Sequence, residues 1–371
     1  MINEERLYAT FLELCSIDSE PMRERLLADH LMERLSGLGF TVSEDDTGEK
    51  IGGNAGNLLA RLEGTGPGET LLFCCHLDRV APGFGVRPRI EGGYVVGDGT
   101  TVLGADDGAG LSALLEGVTT LRERNIPHPA IELVLTVAEE LALLGSSYFD
   151  LARVTARSGF VLDASGSVGE IVIQAPEQVK IQAVIHGRKA HAGFNPEQGV
   201  SAIRIAAAAI EGMNLLRIDS ETTANIGSIS AVGPTNIVPD RCELWAEVRS
   251  LNAAKLRHQV KEMSEALETA AHRQGGSVEI AVLPCYHSYL LDEEAEPARR
   301  AARAARSIGV PARFKSTGGG SDANIFNSRG LPTVVLSCGY EKPHTTQERM
   351  PLGQLSLLAR WVLAIAAEGA S

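Results

Sequence analysis

Apolar residues recur at helical spacing over residues 4–15 and 22–38, then give way to a short apolar run over 69–75, ending LLFCC, as a buried strand requires. A glycine-rich, hairpin-like stretch over 90–98 follows. Beyond it the pattern predicts a helix over 107–124 and strands over 131–137 and 159–162. This alternation points to an α/β fold, a mostly parallel sheet flanked by helices. Around Pro176 the texture changes. From 180 onward the spacing predicts a strand (180–185), a helix (200–212), strands near 226–231 and 242–250, a helix (254–273) and a strand (277–282). That βαββαβ block is a self-contained α+β sheet with two helices. After Asp292 the first texture resumes, with a helix over 297–306, a strand over 333–337 and a closing helix over 352–368. The expected organisation is therefore a catalytic domain in two parts, 1–177 and 288–371, carrying an inserted lid or dimerisation domain, 178–287.

The 371 residues suit two domains. The net charge of −13, from 47 acidic and 34 basic residues, is spread along the chain and argues against nucleic acid or an anionic membrane as partner. Six cysteines form no CxxC pair and sit mostly in apolar runs, as reduced thiols of a cytoplasmic protein do. The first helix is acidic and amphipathic, unlike a secretory signal, and no stretch approaches the roughly 18 apolar residues of a membrane span.

Candidate chemistry collects where predicted strands run out. His76 directly follows LLFCC, and Asp78, two residues on, can accept the second imidazole N–H and fix the ligating tautomer. Asp106 and Asp107 follow a Gly-Ala turn and precede a helix. One can cap that helix while the other bridges two cations, and capping suits Asp107 better. Glu139 and Glu140 end the strand IELVLTV. Adjacent carboxylates repel, and a cation relieves them if one ligates while the other stays free as a base. Asp163 closes the run GFVL, and His344 lies in the polar loop EKPHTTQE. Each has an ordinary alternative: a structural His-Asp pair, a helix cap, a turn aspartate, a surface histidine. Their weight is collective.

HLDxVxPG, GADDGAG, VxEE, LD, GRKAHAG, NIVPD, ExRS, GGGSDAN and GYExxHTT, in this order, resemble the M20 metallopeptidase family, and within it the peptidase T-like branch. The resemblance implies two divalent metal ions, zinc by type, with cobalt or manganese equally suited to mixed His and carboxylate ligation. It gives one ion to His76, Asp106 and Asp163 and the other to Asp106, Glu140 and His344, with Asp106 as the bridge. Glu139 becomes the general base, Asp78 the residue that orients His76, and the peptide between Asp106 and Asp107 is cis. The inserted domain becomes a lid that pairs subunits into a homodimer. Within it His191 becomes the oxyanion donor, and Arg249 and Asn225 contact a short peptide substrate. Arg79 and the Ala142-Leu143 pair depart from the family pattern, and Arg79 at the cleft mouth would favour an acidic substrate.

Rival readings remain open at this point. An N-acyl amino acid amidohydrolase would use the same metals. A serine hydrolase on Ser321, Asp322 and His344 lacks a GxSxG elbow. A metal-stabilised binding protein has no need of a spare base, and no GxxxxGK[ST] loop supports nucleotide binding.

Overall fold

The computed structural model describes residues Met1–Glu368. They form two compact units: Met1–Gln174 with Leu290–Thr317 and the chain from Ser321 onward, and Ala175–Tyr289 with Gly318–Gly320.

The first unit is built on a nine-stranded sheet. At its centre Ile131–Thr136, Leu71–His76, Gly159–Ala164 and Thr333–Ser337 run parallel in that spatial order. Leu58–Leu62 and Thr41–Glu44 extend one side in antiparallel pairing, and Glu170–Ala175 continues the other. Every residue of Leu71–His76 and of Ile131–Thr136 is buried, so both faces of these strands are covered. The cover comes from helices such as Glu4–Ser16, Ala105–Glu123 and Leu352–Ala367, whose apolar stripes join the strands in one core around Phe11, Phe73, Phe160 and Trp361. The expected mostly parallel sheet with flanking helices is therefore present. Leu58–Leu62, Glu170–Ala175 and Arg313–Ser316 carry no distinct period in the sequence. They are short, and two of them hold a charge satisfied by an adjoining strand, Arg61 by Glu132 and Lys315 by Glu170.

The second unit is a five-stranded antiparallel sheet in the order Leu216–Arg217, Thr222–Ser230, Arg241–Ser250, Glu177–His186, Ser277–Tyr286. Burial alternates along Arg241–Ser250 and, from Val179 on, along Glu177–His186, so Val179, Ile181, Ala183 and Ile185 face inward beside Cys242, Leu244, Ala246 and Val248. The helices Ala202–Glu211 and Ala253–Gln274 complete that core. The chain order is the expected βαββαβ with one two-residue edge strand added. Gly318–Gly320 group with this unit, and Gly320 lies so near the Tyr286 ring that a Cβ there would overlap it. No described helix is long and apolar enough to cross a membrane.

Trp361 is fully buried and donates from Nε1 to Ala301 O at 2.9 Å. Trp361→Ala is expected to cost the first unit about 3–5 kcal/mol. Urea unfolding of the metal-free protein followed by circular dichroism checks this, and a loss under about 1 kcal/mol would contradict the packing described.

Candidate metal centre

Three adjacent parallel strands end at one edge. Leu71–His76 lies between Ile131–Thr136 and Gly159–Ala164, with His76 in register with Thr136. Their carboxyl ends carry His76, the turn Glu139–Leu141 and Asp163 to the edge where open α/β sheets bind ligands. The fourth contributor is the start of the helix Ala105–Glu123, where Asp106 and Asp107 have non-helical backbone angles and are joined by a cis peptide. Asp107 does the capping: its Oδ1 accepts from Gly110 N at 3.2 Å and its Oδ2 from His76 N at 3.2 Å. Asp106 is thereby left to face the imidazoles.

Its two oxygens face different partners. Asp106 Oδ1 lies 3.1 Å from His76 Nε2, and Oδ2 lies 3.3 Å from His344 Nε2. Asp163 Oδ1 stands 3.7 Å from His76 Nε2, and Glu140 Oε1 3.0 Å from His344 Nε2. The donor atoms of His76, Asp106 and Glu140 lie within 4.8 Å of one another, as do those of His76, Glu139 and Asp163. Glu140 Oε1 is buried, and its near neighbour is the His344 Nε2 at 3.0 Å. Oxygen and nitrogen donors crowded this way fit divalent cations of the zinc type.

Electrostatics without a cation shows the same crowding. Burial, with Asp163 and Asp106 as nearby charges, pushes Glu139 and Asp163 well above the ordinary carboxylate range. Burial also raises Asp107. Burial acts on Asp106 in the same sense, but hydrogen bonds from His344 and His76 outweigh it and hold this carboxyl below the usual range. Conversely, bonds to Asp106 and Glu140 push the His344 imidazole up to about 10. Desolvation lowers His76, but the nearby carboxylates of Asp106, Asp163 and Asp78 outweigh it and raise the imidazole.

The turn bearing Glu139 and Glu140 is held by its backbone. Four successive N–H groups donate to side chains from elsewhere: Val137 to Asn57 Oδ1 (3.0 Å), Ala138 to Glu24 Oε1 (3.0 Å), and Glu139 and Glu140 to the two oxygens of Asp78 (2.9 and 3.0 Å). Ala138, Ala142 and Leu143 take left-handed φ values of 49°, 66° and 62°, conformations that glycine adopts more cheaply. Gly145 is needed beside them, since a Cβ there would strike Val137 O and Asn57 Oδ1. On the other side Glu348, four residues after His344, accepts from Leu103, Gly104 and Asp106 N–H. Glu24, Asn57 and Glu348 carry no sequence signal, because a lone polar residue in a polar loop reads as solvated.

Two expectations need correcting. The Asp78 carboxylate stands 3.6 Å from His76 Nδ1; the hydrogen bond at 2.8 Å goes to the Asp78 carbonyl instead. Its carboxylate is committed to the Glu139 and Glu140 N–H groups. Arg79 is not a cation at a cleft mouth. It is 4% exposed and its guanidinium donates to the carbonyls of Leu14, Cys15 and Ile17 at the end of the first helix and to Ser19 Oγ. Burial accordingly lowers its pKa. The serine-hydrolase grouping also dissolves: Ser321 is the N-cap residue of the helix Asp322–Ser328, Asp322 accepts from Thr136 Oγ1 at 2.6 Å, and His344 faces Asp106 and Glu140.

His191, Asn225 and Arg249 belong to the second unit. His191 Nδ1 accepts from Gly193 N and Phe194 N, both at 3.1 Å, so a neutral ring carries its proton on Nε2. Arg249 is engaged in a two-pronged bond with Glu247 (3.0 and 3.1 Å). Asn225 is exposed, opposite Glu247 in the strand register.

The chain is similar to known peptidases. A peptidase dimerisation domain of the M20 type matches residues 178–274, and peptidase family M28 matches residues 57–208. The crystal structure of aminopeptidase PepT from Bacillus cereus ATCC 10987 is 47% identical, covers 100% of both chains and superposes with a TM-score of 0.88. A tripeptidase from Staphylococcus aureus subsp. aureus mu50 is 43% identical over 99% of this chain and 98% of its own, with a TM-score of 0.93. Peptidase T of Clostridium novyi (strain NT) is 25% identical over 286 residues, 76% of this chain and 69% of that one.

At pH 7 the metal-free His344, raised to about 10, holds a proton that a cation must displace. Titrating the chelated protein with Zn²⁺ in buffers of different ionisation enthalpy is expected to show proton release, shrinking as pH rises toward 10. Apparent affinity should fall as pH is lowered. Heats independent of the buffer would rule the ligand set out.

Proposed function

This chain belongs to the M20 peptidase family, in its peptidase T-like branch, and from that premise we propose that it is a two-metal, tripeptidase-like aminopeptidase hydrolysing an amide bond of short peptides. The observation that carries the reading is the Asp106 carboxylate, turned at once toward His76 and His344. We assign one cation to His76, Asp106 and Asp163 and the other to Asp106, Glu140 and His344, with zinc as the native metal. When bound, the two cations supply Lewis acidity toward the scissile carbonyl and toward a water.

Glu139 is the residue left over. Its carboxylate takes the proton from the attacking water and returns it to the departing amine. Asp78 holds the Glu139 and Glu140 N–H groups with its carboxylate and His76 Nδ1 with its carbonyl, so one residue orients the base, a ligand and the second ligand's backbone. His191, Asn225 and Arg249 are proposed as substrate contacts. The Nε2–H tautomer of His191 suits a donor to the developing oxyanion, and Arg249 would exchange Glu247 for a peptide carboxylate. The inserted unit is proposed as lid and homodimer contact, supported by its match to a dimerisation domain. A cytoplasmic address, with neither nucleic acid nor membrane as partner, completes the reading.

Glu139→Gln is expected to lower kcat by about 10²–10⁴-fold while metal analysis still finds two ions per chain. Near-wild-type turnover in that variant would remove Glu139 from the chemistry. In a screen of dipeptides, tripeptides and N-acyl amino acids, tripeptides are expected to be cleaved, and a chelator to abolish the activity. Faster hydrolysis of N-acyl amino acids would sink the peptidase assignment.

A further inference from the structure

We infer that Glu348 is a positioning residue for the second cation: its carboxylate docks the His344 loop onto the Asp106 loop and so sets the separation of those two ligands. The inference rests on the two-metal reading above and adds to it which residue makes the pair.

The two imidazoles are held in different ways. His76 ends a fully buried strand, its side chain is 1% exposed, and its Nδ1 is fixed by the Asp78 carbonyl. His344 has a side chain 53% exposed and sits in a loop with no regular ladder of its own. That loop is shaped from within. Glu341 and Arg349 exchange backbone bonds at 2.9 and 3.1 Å across its base. Inside it, Thr345 Oγ1 donates to Lys342 O and accepts from Gln347 N, and Lys342 and His344 take φ values of 56° and 60°. These bonds define the shape of the loop and leave its distance from Asp106 undetermined.

Glu348 supplies that distance. It is 3% exposed, and it reaches the segment preceding the bridge: Oε2 accepts from Leu103 N and Gly104 N at 2.8 Å each, and Oε1 from Asp106 N at 3.1 Å. One side chain, four residues from one ligand, thus binds the backbone of the other. Three donors divided over two oxygens require a carboxylate. An amide offers one acceptor oxygen, and its NH₂ would confront an N–H. The consequence is asymmetric. Disturbing Glu348 should loosen the ion shared by Asp106, Glu140 and His344 and spare the one whose other two ligands, His76 and Asp163, stand at strand ends.

The test is a titration of the chelated full-length protein with Zn²⁺ against a chromophoric competitor, comparing wild type, Glu348→Gln, His344→Gln and the double variant. The wild type is expected to take two ions. Glu348→Gln should keep one at wild-type affinity and bind the second about 10–100-fold more weakly, the usual cost of losing an outer-shell partner. His344→Gln should show the same one-site pattern, and adding Glu348→Gln to it should weaken the second ion no further. If Glu348→Gln does not fold, Glu348→Asp, which keeps the charge but draws it back, is read the same way. Two ions at wild-type affinity in the Glu348 variant, equal weakening of both, or additive losses in the double variant would overturn the inference alone. A wild-type chain that takes up one ion overturns the two-metal reading and this inference with it.

Discussion

Asp106 turns one oxygen to His76 and the other to His344, and around that one carboxylate Asp107, Glu139, Glu140 and Asp163 crowd into a largely buried edge of the sheet. Two like charges 4 Å apart repel by about 4 kcal/mol at an effective dielectric near 20. A few such pairs rival the roughly 5–15 kcal/mol that holds a domain folded. The chain can keep them only with positive charge among them. In the metal-free state protons do this: burial together with the neighbouring charges pushes Glu139, Asp107 and Asp163 up, while Asp106, between two imidazoles, is held down. Divalent cations would do it with the ligands ionised.

Crowding explains why the surroundings are built from backbone N–H groups. Additional cations beside the ligands would compete with a metal, whereas N–H donors hold the loops without adding charge. Asn57, Glu24 and Asp78 take the four donors of the Glu139 turn, and Glu348 takes three beside Asp106. Hydrogen bonds to charged groups contribute about 1.5–3 kcal/mol each. That is enough to offset left-handed backbone at Ala138, Ala142 and Leu143, at about 1–3 kcal/mol apiece. Strain and clamp belong to one device, a turn that would not persist unless its donors were occupied.

The second unit follows a plainer logic. Its central strands are buried on alternate residues, so one face builds a core with two helices and the other is left to present polar side chains. Arg249 and Glu247 stand two residues apart on one such strand and neutralise each other.

Periodicity made the mostly parallel sheet and its flanking helices readable along the chain, because burial on one or both faces leaves a repeat of two, of 3.6, or an unbroken apolar run. It also placed His76, Glu139, Glu140 and Asp163 at strand ends and gave the helix cap to Asp107 rather than Asp106. Strand ends alone left open which glutamate stands beside His344. The direction of Arg79, the partners of Asp78 and the presence of Glu24, Asn57 and Glu348 came only from the folded chain. Ala138 meets Glu24 across 114 positions and Leu103 meets Glu348 across 245. A side chain that bonds a distant backbone N–H imposes no repeat and demands no special residue at the donor, so its partner is chosen by tertiary packing and leaves no trace along the chain.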